Sequence, residues 1–414
     1  MKIAIVGTGI AGMVTGYLLS QDHQIEVYEA NDYVGGHTHT IPVKSRNLTY
    51  PVDTGFVVFN HHTYPNFTRL LELLGVSSEP TEMSFSVRCE RSGLEYNGTS
   101  LNTLFAQRTN LLRPRFHRMI KDILRFYREA PLLLNTNEDG PTLGEFLESN
   151  DYSKSFVKQH LIPMGSAIWS ADPQKMLSFP FVSFVQFFVN HGFMQIAHRP
   201  QWHIIKGGSC EYVRVLTARY RSNIRLSTPV KWIRRHQKHV QIKARGRDPE
   251  NFDAVVLATH SDQAFQVLAD PSEREREILS QMPYQKNQVA LHSDASLLPR
   301  RALARASWNY HLTQEKVSAP TVTYYMNSLQ NLHSQTDFCV TLNRTSFIRP
   351  DQIIKEMIYS HPVFTHRSVA AQRRYKEING VNNTYYCGAY WGYGFHEDGV
   401  NSALEVGKQF GVGF

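Results

Sequence analysis

An α/β architecture of two interleaved domains is expected from two observations: a glycine-rich turn set between a short apolar strand and a helix just after Met1, and a chain of 414 residues, longer than one ordinary domain. The first, "MKIAIVGTGIAGMVTGYLL", runs from a short apolar segment, Ile3 to Val6, through Gly7-Thr8-Gly9-Ile10-Ala11-Gly12 into a helical pattern. That order of buried strand, turn and helix opens a Rossmann-like dinucleotide-binding domain. Gly7 allows the tight turn, Gly9 lets backbone approach a pyrophosphate, and Gly12 lets helix and strand pack closely. Ile10 and Ala11 begin the helix, whose free amides and positive dipole end suit phosphate. A second apolar strand, Ile25 to Tyr28, ends at Glu29-Ala30, with Glu29 17 residues after Gly12. A carboxylate there accepts hydrogen bonds from a ribose diol and repels a 2′-phosphate, which disfavours NADP.

Composition agrees with a folded enzyme-sized chain. Hydrophobic residues make up 42% and charged residues 19%, and the length exceeds one ordinary domain. The four cysteines, Cys89, Cys210, Cys339 and Cys387, form no CxxC pair and no metal-ligand cluster, which fits free thiols in a reducing compartment and predicts no metal. No window reaches the roughly 18 uninterrupted apolar residues of a membrane span, and the opening residues lack the basic region and cleavage site of a signal peptide. A cytoplasmic protein is expected.

After Glu29, "ANDYVGGHT" places Gly35-Gly36 where ordinary nicotinamide dehydrogenases have no such pair, and "VDTGF" follows with Gly55 and Phe56. This combination resembles the flavin-containing amine oxidase and phytoene desaturase superfamily. The resemblance implies FAD as cofactor, with the second glycine pair against its pyrophosphate. Arg or Lys usually follows that pair in the superfamily; here it is His37.

Two segments of the expected second domain stand out. From Arg108 to Ala130, Phe116, Ile120, Ile123 and Tyr127 recur at helical spacing, with Arg115, Arg118, Lys121, Arg125 and Arg128 around the rest of the surface. This basic amphipathic helix is either a solvated face or a contact for anionic lipid or a partner. From Phe179 to Met194 there are six phenylalanines in 16 residues, suited to core packing or to an apolar substrate tunnel.

"QWHIIKGGSCEYVRVL" then sets Gly207-Gly208 before a helix, as amine-oxidase relatives do where the chain re-enters the cofactor domain. Ile224 to Ala244 alternates like hairpin strands, and Phe252 to His260 reads as another buried strand. The basic residues of the hairpin alternate with apolar ones, predicting a solvated face rather than nucleic-acid binding. By resemblance, Val230 meets adenine through its backbone and the strand ending at Ala258 lies under the nucleotide.

Later phrases, ending with "YCGAYWGYGFHEDGVNSA", are similar to a bacterial branch described as predicted FAD-binding amine-oxidase-like proteins and to the N-terminal module of plant cyclopropane-fatty-acid synthases. The resemblance implies a Rossmann-like FAD-binding domain of the amine oxidase type (1–80, 200–262, 380–414) interleaved with a substrate domain of mixed sheet and helices (81–199, 263–379), helical over 100–195. It further implies a strand ending near Gly388 beside the cofactor, and a helix beginning near Gly399 with the amides of Gly399, Val400 and Asn401 toward the flavin. Ala389 stands where many relatives have Asp. Tyr390, Trp391, Tyr393 and His396 are the expected surroundings of the flavin ring, with Tyr390, Trp391 and His396 as catalytic candidates. His396 is either a base or a ring held structurally beside Glu397 and Asp398, and Lys286 is the one tempting lysine in the central region. The expected function is FAD-dependent dehydrogenation or isomerisation of an apolar, fatty acyl or other lipid substrate. The alternatives are oxidation of a small amine and a non-catalytic flavin protein serving a lipid-modifying enzyme. Membrane contact, if made, is expected through 108–130 at the inner membrane face.

Overall fold

The computed structural model describes residues 1–134, 140–314 and 319–414, so residues 135–139 of the expected helical region lie outside the described residues. Two sheets organise the chain. The first has five strands, in spatial order Ile224–Arg225, Gln24–Tyr28, Lys2–Val6, Ala254–Leu257 and Thr384–Tyr386, all parallel. In its two central strands Ile3 to Val6 and Ala254 to Leu257 are all buried and apolar, as a sheet covered on both faces requires. Helices Ile10–Leu19 and His396–Gln409 pack against each other over it.

The second sheet is mixed. Its seven strands run in the order Ile353–Pro362, Tyr284–His292, Cys339–Leu342, Val322–Tyr325, Trp308–Leu312, Phe85–Cys89 and Leu94–Asn97, antiparallel except where Trp308–Leu312 pairs in parallel with Phe85–Cys89. Alternation along these strands sends Val289, Leu291, Val340 and Leu342 into one apolar cluster with Trp308 and Tyr324.

Short helices cover the remaining apolar surface. The basic helix spans Pro114–Glu129 and turns Phe116, Met119 and Phe126 into the core, with Ile120, Ile123 and Tyr127 packed at the margins. Burying each large apolar side chain contributes about 1.5–3 kcal/mol, so the stripe is anchored by the fold. Asp122 also points inward, accepting from the Ser153 amide at 3.1 Å and pairing with Arg118 at 3.3 Å. The phenylalanine-rich helix, Phe181–Asn190, buries Phe181, Phe184, Phe187 and Phe188. Among the described residues, no helix is long and apolar enough to cross a membrane.

Candidate cofactor and substrate site

A single cavity of about 710 Å³ extends from the first sheet to the second. At the first-sheet end its wall includes Gly7, Gly9, Ile10, Ala11, Glu29, Ala30, Gly35, Gly36, His37, Gly55, Phe56, Val230, Ala258 and Gly388. Backbone dominates here. Helix Ile10–Leu19 starts directly after Gly9, so the amides of its first turn have no partners within the helix. Gly12 lies underneath rather than on the wall, where a Cβ would collide with the Gly7 carbonyl oxygen. Gly36 sits at φ +59°, and a Cβ there would come within 3.1 Å of the Gly9 Cα, so the two glycine loops interlock.

Thr8, a residue whose type leaves no local mark in the glycine pattern, ties these loops together. Its amide donates to Glu29 Oε2 at 2.9 Å and its hydroxyl donates to the same oxygen at 2.5 Å, while the Gly35 amide donates to the Thr8 hydroxyl at 3.3 Å. The Asn31 amide occupies Glu29 Oε1. A carboxylate offers about four acceptor positions, so Glu29 retains capacity for a ligand hydroxyl. Asp53 is a second tie. It accepts from the Ser209 amide and hydroxyl at 3.0 Å, from Thr40 at 2.5 Å and from Gln330 at 3.0 Å, joining strand Leu48–Asp53 to helix Cys210–Thr217 and to the short helix Met326–Leu329 that follows strand Val322–Tyr325 of the second sheet. Burial pushes its carboxyl up to about 7, while the bonds from Thr40 and Ser209 oppose that rise.

His37 belongs to a group of imidazoles that local sequence does not reveal. Its ring centroid lies 5.9 Å from that of His260 and 5.2 Å from that of His361, brought in from two other strands and loops. Desolvation lowers His37 and His260 to about 4 and His361 to about 3, so all three are neutral at pH 7.

The closing phrase departs from expectation. Its helix begins at His396, three residues before Gly399, because Asp398 accepts from the amides of Tyr393 and Phe395 and caps the first turn. Consequently the Gly399 amide is spent on the Phe395 carbonyl, Val400 is in the core, and the exposed Asn401 accepts from the Asn66 side chain at 2.8 Å. These three amides do not face the cavity. Gly399 instead gives helix Ile10–Leu19 room to approach, since a Cβ would lie 2.6 Å from an Ile10 methyl.

Of the catalytic candidates, Tyr390 and His396 line the cavity, as does Tyr393. Trp391 does not, because its ring packs on Tyr375 and Tyr390 at 4.7 and 4.8 Å between centroids. The His396 ring stacks on Phe56 at 3.5 Å, with Nε2 3.0 Å from both the Thr38 and Tyr212 hydroxyls. Burial holds its pKa well below the ordinary value, so it is a neutral ring locked by hydroxyls. Lys286 is exposed on strand Tyr284–His292 and does not reach the wall.

Toward the second sheet the wall becomes aromatic and aliphatic: Tyr64, Trp169, Phe187, Phe193, Trp202, Trp308 and Tyr324 with Met326, Leu329, Val340 and Leu342. Only two of the six phenylalanines of 179–194 reach it; the others fill the core. No Lys or Arg lines the cavity among the described residues, and the acids on its wall are Glu29, at the opposite end, and Asp53, which is held by Thr40, Ser209 and Gln330 and raised by burial to about 7. His191 is kept neutral here, lowered to about 4 by burial. The buried indole nitrogen of Trp308 has no hydrogen-bond partner among the described residues.

The sequence model of the family described as flavin containing amine oxidoreductase matches residues 10–291. The chain belongs to this family. Its curated relatives include the zeta-carotene desaturase of Capsicum annuum, 36% identical over 76 residues, a match covering 18% of this chain and only 12% of the relative. Solved structures that share the fold across its length include two with different substrates in their names. Cyclohexylamine oxidase from Brevibacterium oxydans superposes with a TM-score of 0.70 at 15% identity, covering 99% of each chain. A fatty acid isomerase from P. acnes that produces CLA gives 0.69 at 16%, covering 99% of this chain and 98% of its own.

The family's cofactor is FAD, and the first-sheet end fits it. The Gly9 Cβ direction is open for at least 4 Å, and the buried His37 Nε2 and Tyr390 hydroxyl, both on wall residues, have no hydrogen-bond partner among the described residues. Open amides, a ribose-competent carboxylate and unpaired buried polar atoms are what a diphosphate and a flavin would engage.

Proposed function

We propose that the protein is an FAD-dependent oxidoreductase that dehydrogenates or isomerises an uncharged, apolar substrate of lipid type. The observation that carries this reading is the absence of ionised side chains from the second-sheet end of the cavity, among the described residues. An ammonium or carboxylate moved there would lose its hydration with no opposite charge to replace it, at a cost of several kcal/mol. A hydrocarbon chain gains about 25 cal/mol for each Å² taken from water. The zeta-carotene desaturase among the similar proteins, named for a hydrocarbon substrate, supports the same class, and the fatty acid isomerase is named for a substrate that is apolar along its chain but not at its carboxyl end.

When bound, FAD supplies the acceptor for hydride taken from substrate carbon. The chain's own part is to bind, orient and exclude water. Gly9, Ile10 and Ala11 would hold the diphosphate through backbone amides, Glu29 the ribose, and Val230 the adenine side. Trp169, Phe187, Phe193 and Trp202 form a dry wall that fixes a flexible chain, and Trp308 offers one donor to orient a single acceptor on it. His396, neutral and fixed by Thr38 and Tyr212, would position Phe56 rather than carry a proton.

Anaerobic titration of the FAD-loaded protein tests the proposal. Unsaturated neutral lipids, fatty acyl esters and polyenes are expected to bleach the flavin absorbance or to return as isomers, whereas small mono- and diamines leave both unchanged. Bleaching by the amines alone would overturn it.

A further inference from the structure

The basic helix solves its packing problem with one face and leaves the other with an unusual composition. Over 113–129 there are six Lys and Arg against two acids, and the acids are accounted for: Asp122 is buried against Arg118, and Glu129 pairs with Arg125 and Arg128. Lys121 and Arg115 remain exposed, and neither makes an ion pair among the described residues. Single exposed leucines are normal on a protein surface, but these are concentrated. Of 16 exposed large hydrophobic residues among the described residues, six fall between Leu101 and Leu133. Leu111 and Leu112, 51% and 87% exposed, immediately precede the helix; Leu124, at 47%, lies on its outer face; Leu132, at 76%, follows its end.

The neighbouring loop continues the pattern. Ile196 is 71% exposed, and Phe193 and Met194 just before it pack on the same apolar cluster as Ile120, Ile123 and Tyr127 of the basic helix, which brings the loop after Phe181–Asn190 to that helix's side of the molecule. The same loop contributes Phe193, and the preceding helix end His191, to the cavity wall. Helix Phe181–Asn190, which supplies Phe187 to the wall, also packs on the short helix Ala130–Leu133 that carries Leu132.

The geometry points to a peripheral membrane-docking face: the outer side of Pro114–Glu129, with Leu112, Leu132 and Ile196 as apolar anchors and Arg115 and Lys121 as contacts to anionic headgroups. Charge complementarity selects an anionic bilayer over a neutral one, and protruding leucines flanking cations select an interface with an apolar layer beneath it. No spanning segment is needed. Because His191 and Phe193 belong both to the loop of this face and to the cavity wall, docking would set the apolar end of the cavity against the lipid. The inference does not rest on the proposed reaction, since the surface would dock whatever the cavity accepts.

Co-sedimentation of the FAD-loaded protein with phosphatidylcholine vesicles, with and without phosphatidylglycerol, tests it. Binding is expected to the mixed vesicles only, falling at least about tenfold as salt is raised and the Debye length shrinks from about 10 Å to about 3 Å. Two variants separate the contributions. L112D/L132D should lose at least about tenfold in partitioning, and R115E/K121E should lose the preference for anionic vesicles, both with unchanged circular dichroism and FAD content. Failure of the wild type to bind either vesicle, or binding that both variants retain, would overturn the docking face; the first outcome would leave an acidic protein as the better match. Neither outcome depends on flavin bleaching, so this test and that of the reaction fail separately.

Discussion

The two ends of the cavity are built in different ways. At the first-sheet end the wall is mainly backbone: interlocked glycine loops, a helix start, and carboxylates tied down by Thr8, Asn31 and Ser209. At the second-sheet end it is side chain, assembled from a helix, two loops and several strands far apart in sequence. A backbone site tolerates almost no change in the residues that allow close approach, whereas a wall of rings shares its task among many members.

Breaking the first end should therefore give the largest effects, of two distinguishable kinds. Gly12→Val forces a side chain into the Gly7 carbonyl, and the protein is expected to lose its cooperative thermal transition. Gly9→Val points into open space, so the apoprotein should melt as the wild type does while its FAD affinity drops at least about 100-fold, equivalent to about 2.7 kcal/mol, measured by flavin fluorescence. Equal damage to folding in both variants would erase the distinction between packing glycine and ligand-facing glycine.

Acid sharpens the comparison next. His37, His260 and His361 titrate far below the ordinary histidine range in the folded chain, so the unfolded chain binds more protons as pH falls. Stability should be full above about pH 6.5 and decline between there and about 4, by on the order of 1–3 kcal/mol for each ring after allowing for their exposure to the cavity. Bound FAD should soften that decline, because a diphosphate favours the imidazolium. Urea unfolding at several pH values, with and without FAD, measures both. His37→Gln should flatten the curve of the apoprotein.

Gly399→Val should cost about 1–3 kcal/mol through overpacking against Ile10 and leave the flavin reduction potential unchanged, as potentiometric titration would show. A lowered potential would return this glycine to the cofactor. The smallest effect is expected at the other end. Trp308→Phe removes the indole donor together with part of the ring, and should raise KM more for a substrate bearing a hydrogen-bond acceptor than for a pure hydrocarbon, the difference reaching up to about tenfold, about the 1.4 kcal/mol of one hydrogen bond.

The same contrast explains what the sequence revealed. Gly7, Gly9, Glu29 and Gly36 were legible because backbone conformations and strand-turn-helix order leave local marks. His260, His361 and Trp308 were not, since nothing around them says that separate elements will converge on one cavity. The helix start at His396 was misplaced by three residues because Phe395 is a poor N-cap by type. The available signal was Asp398, three residues on, which reaches back to the loop amides. On the basic helix, the expected apolar stripe missed Met119 and Phe126, because the buried face is wider than one row of positions. Arg235, expected on a solvated hairpin, is almost wholly buried between Asp270 and Glu275.

The account's central claim is that an FAD-binding backbone cradle opens into an uncharged apolar pocket. Its most direct test is the affinity of FAD-loaded protein for two ligands of equal chain length, a neutral long-chain alcohol and the corresponding alkylammonium, read from perturbation of the flavin spectrum below the concentration at which either forms micelles. The alcohol is expected to bind at least about 100-fold more tightly, reflecting the cost of an unpaired buried charge. Equal or tighter binding of the ammonium would contradict the claim.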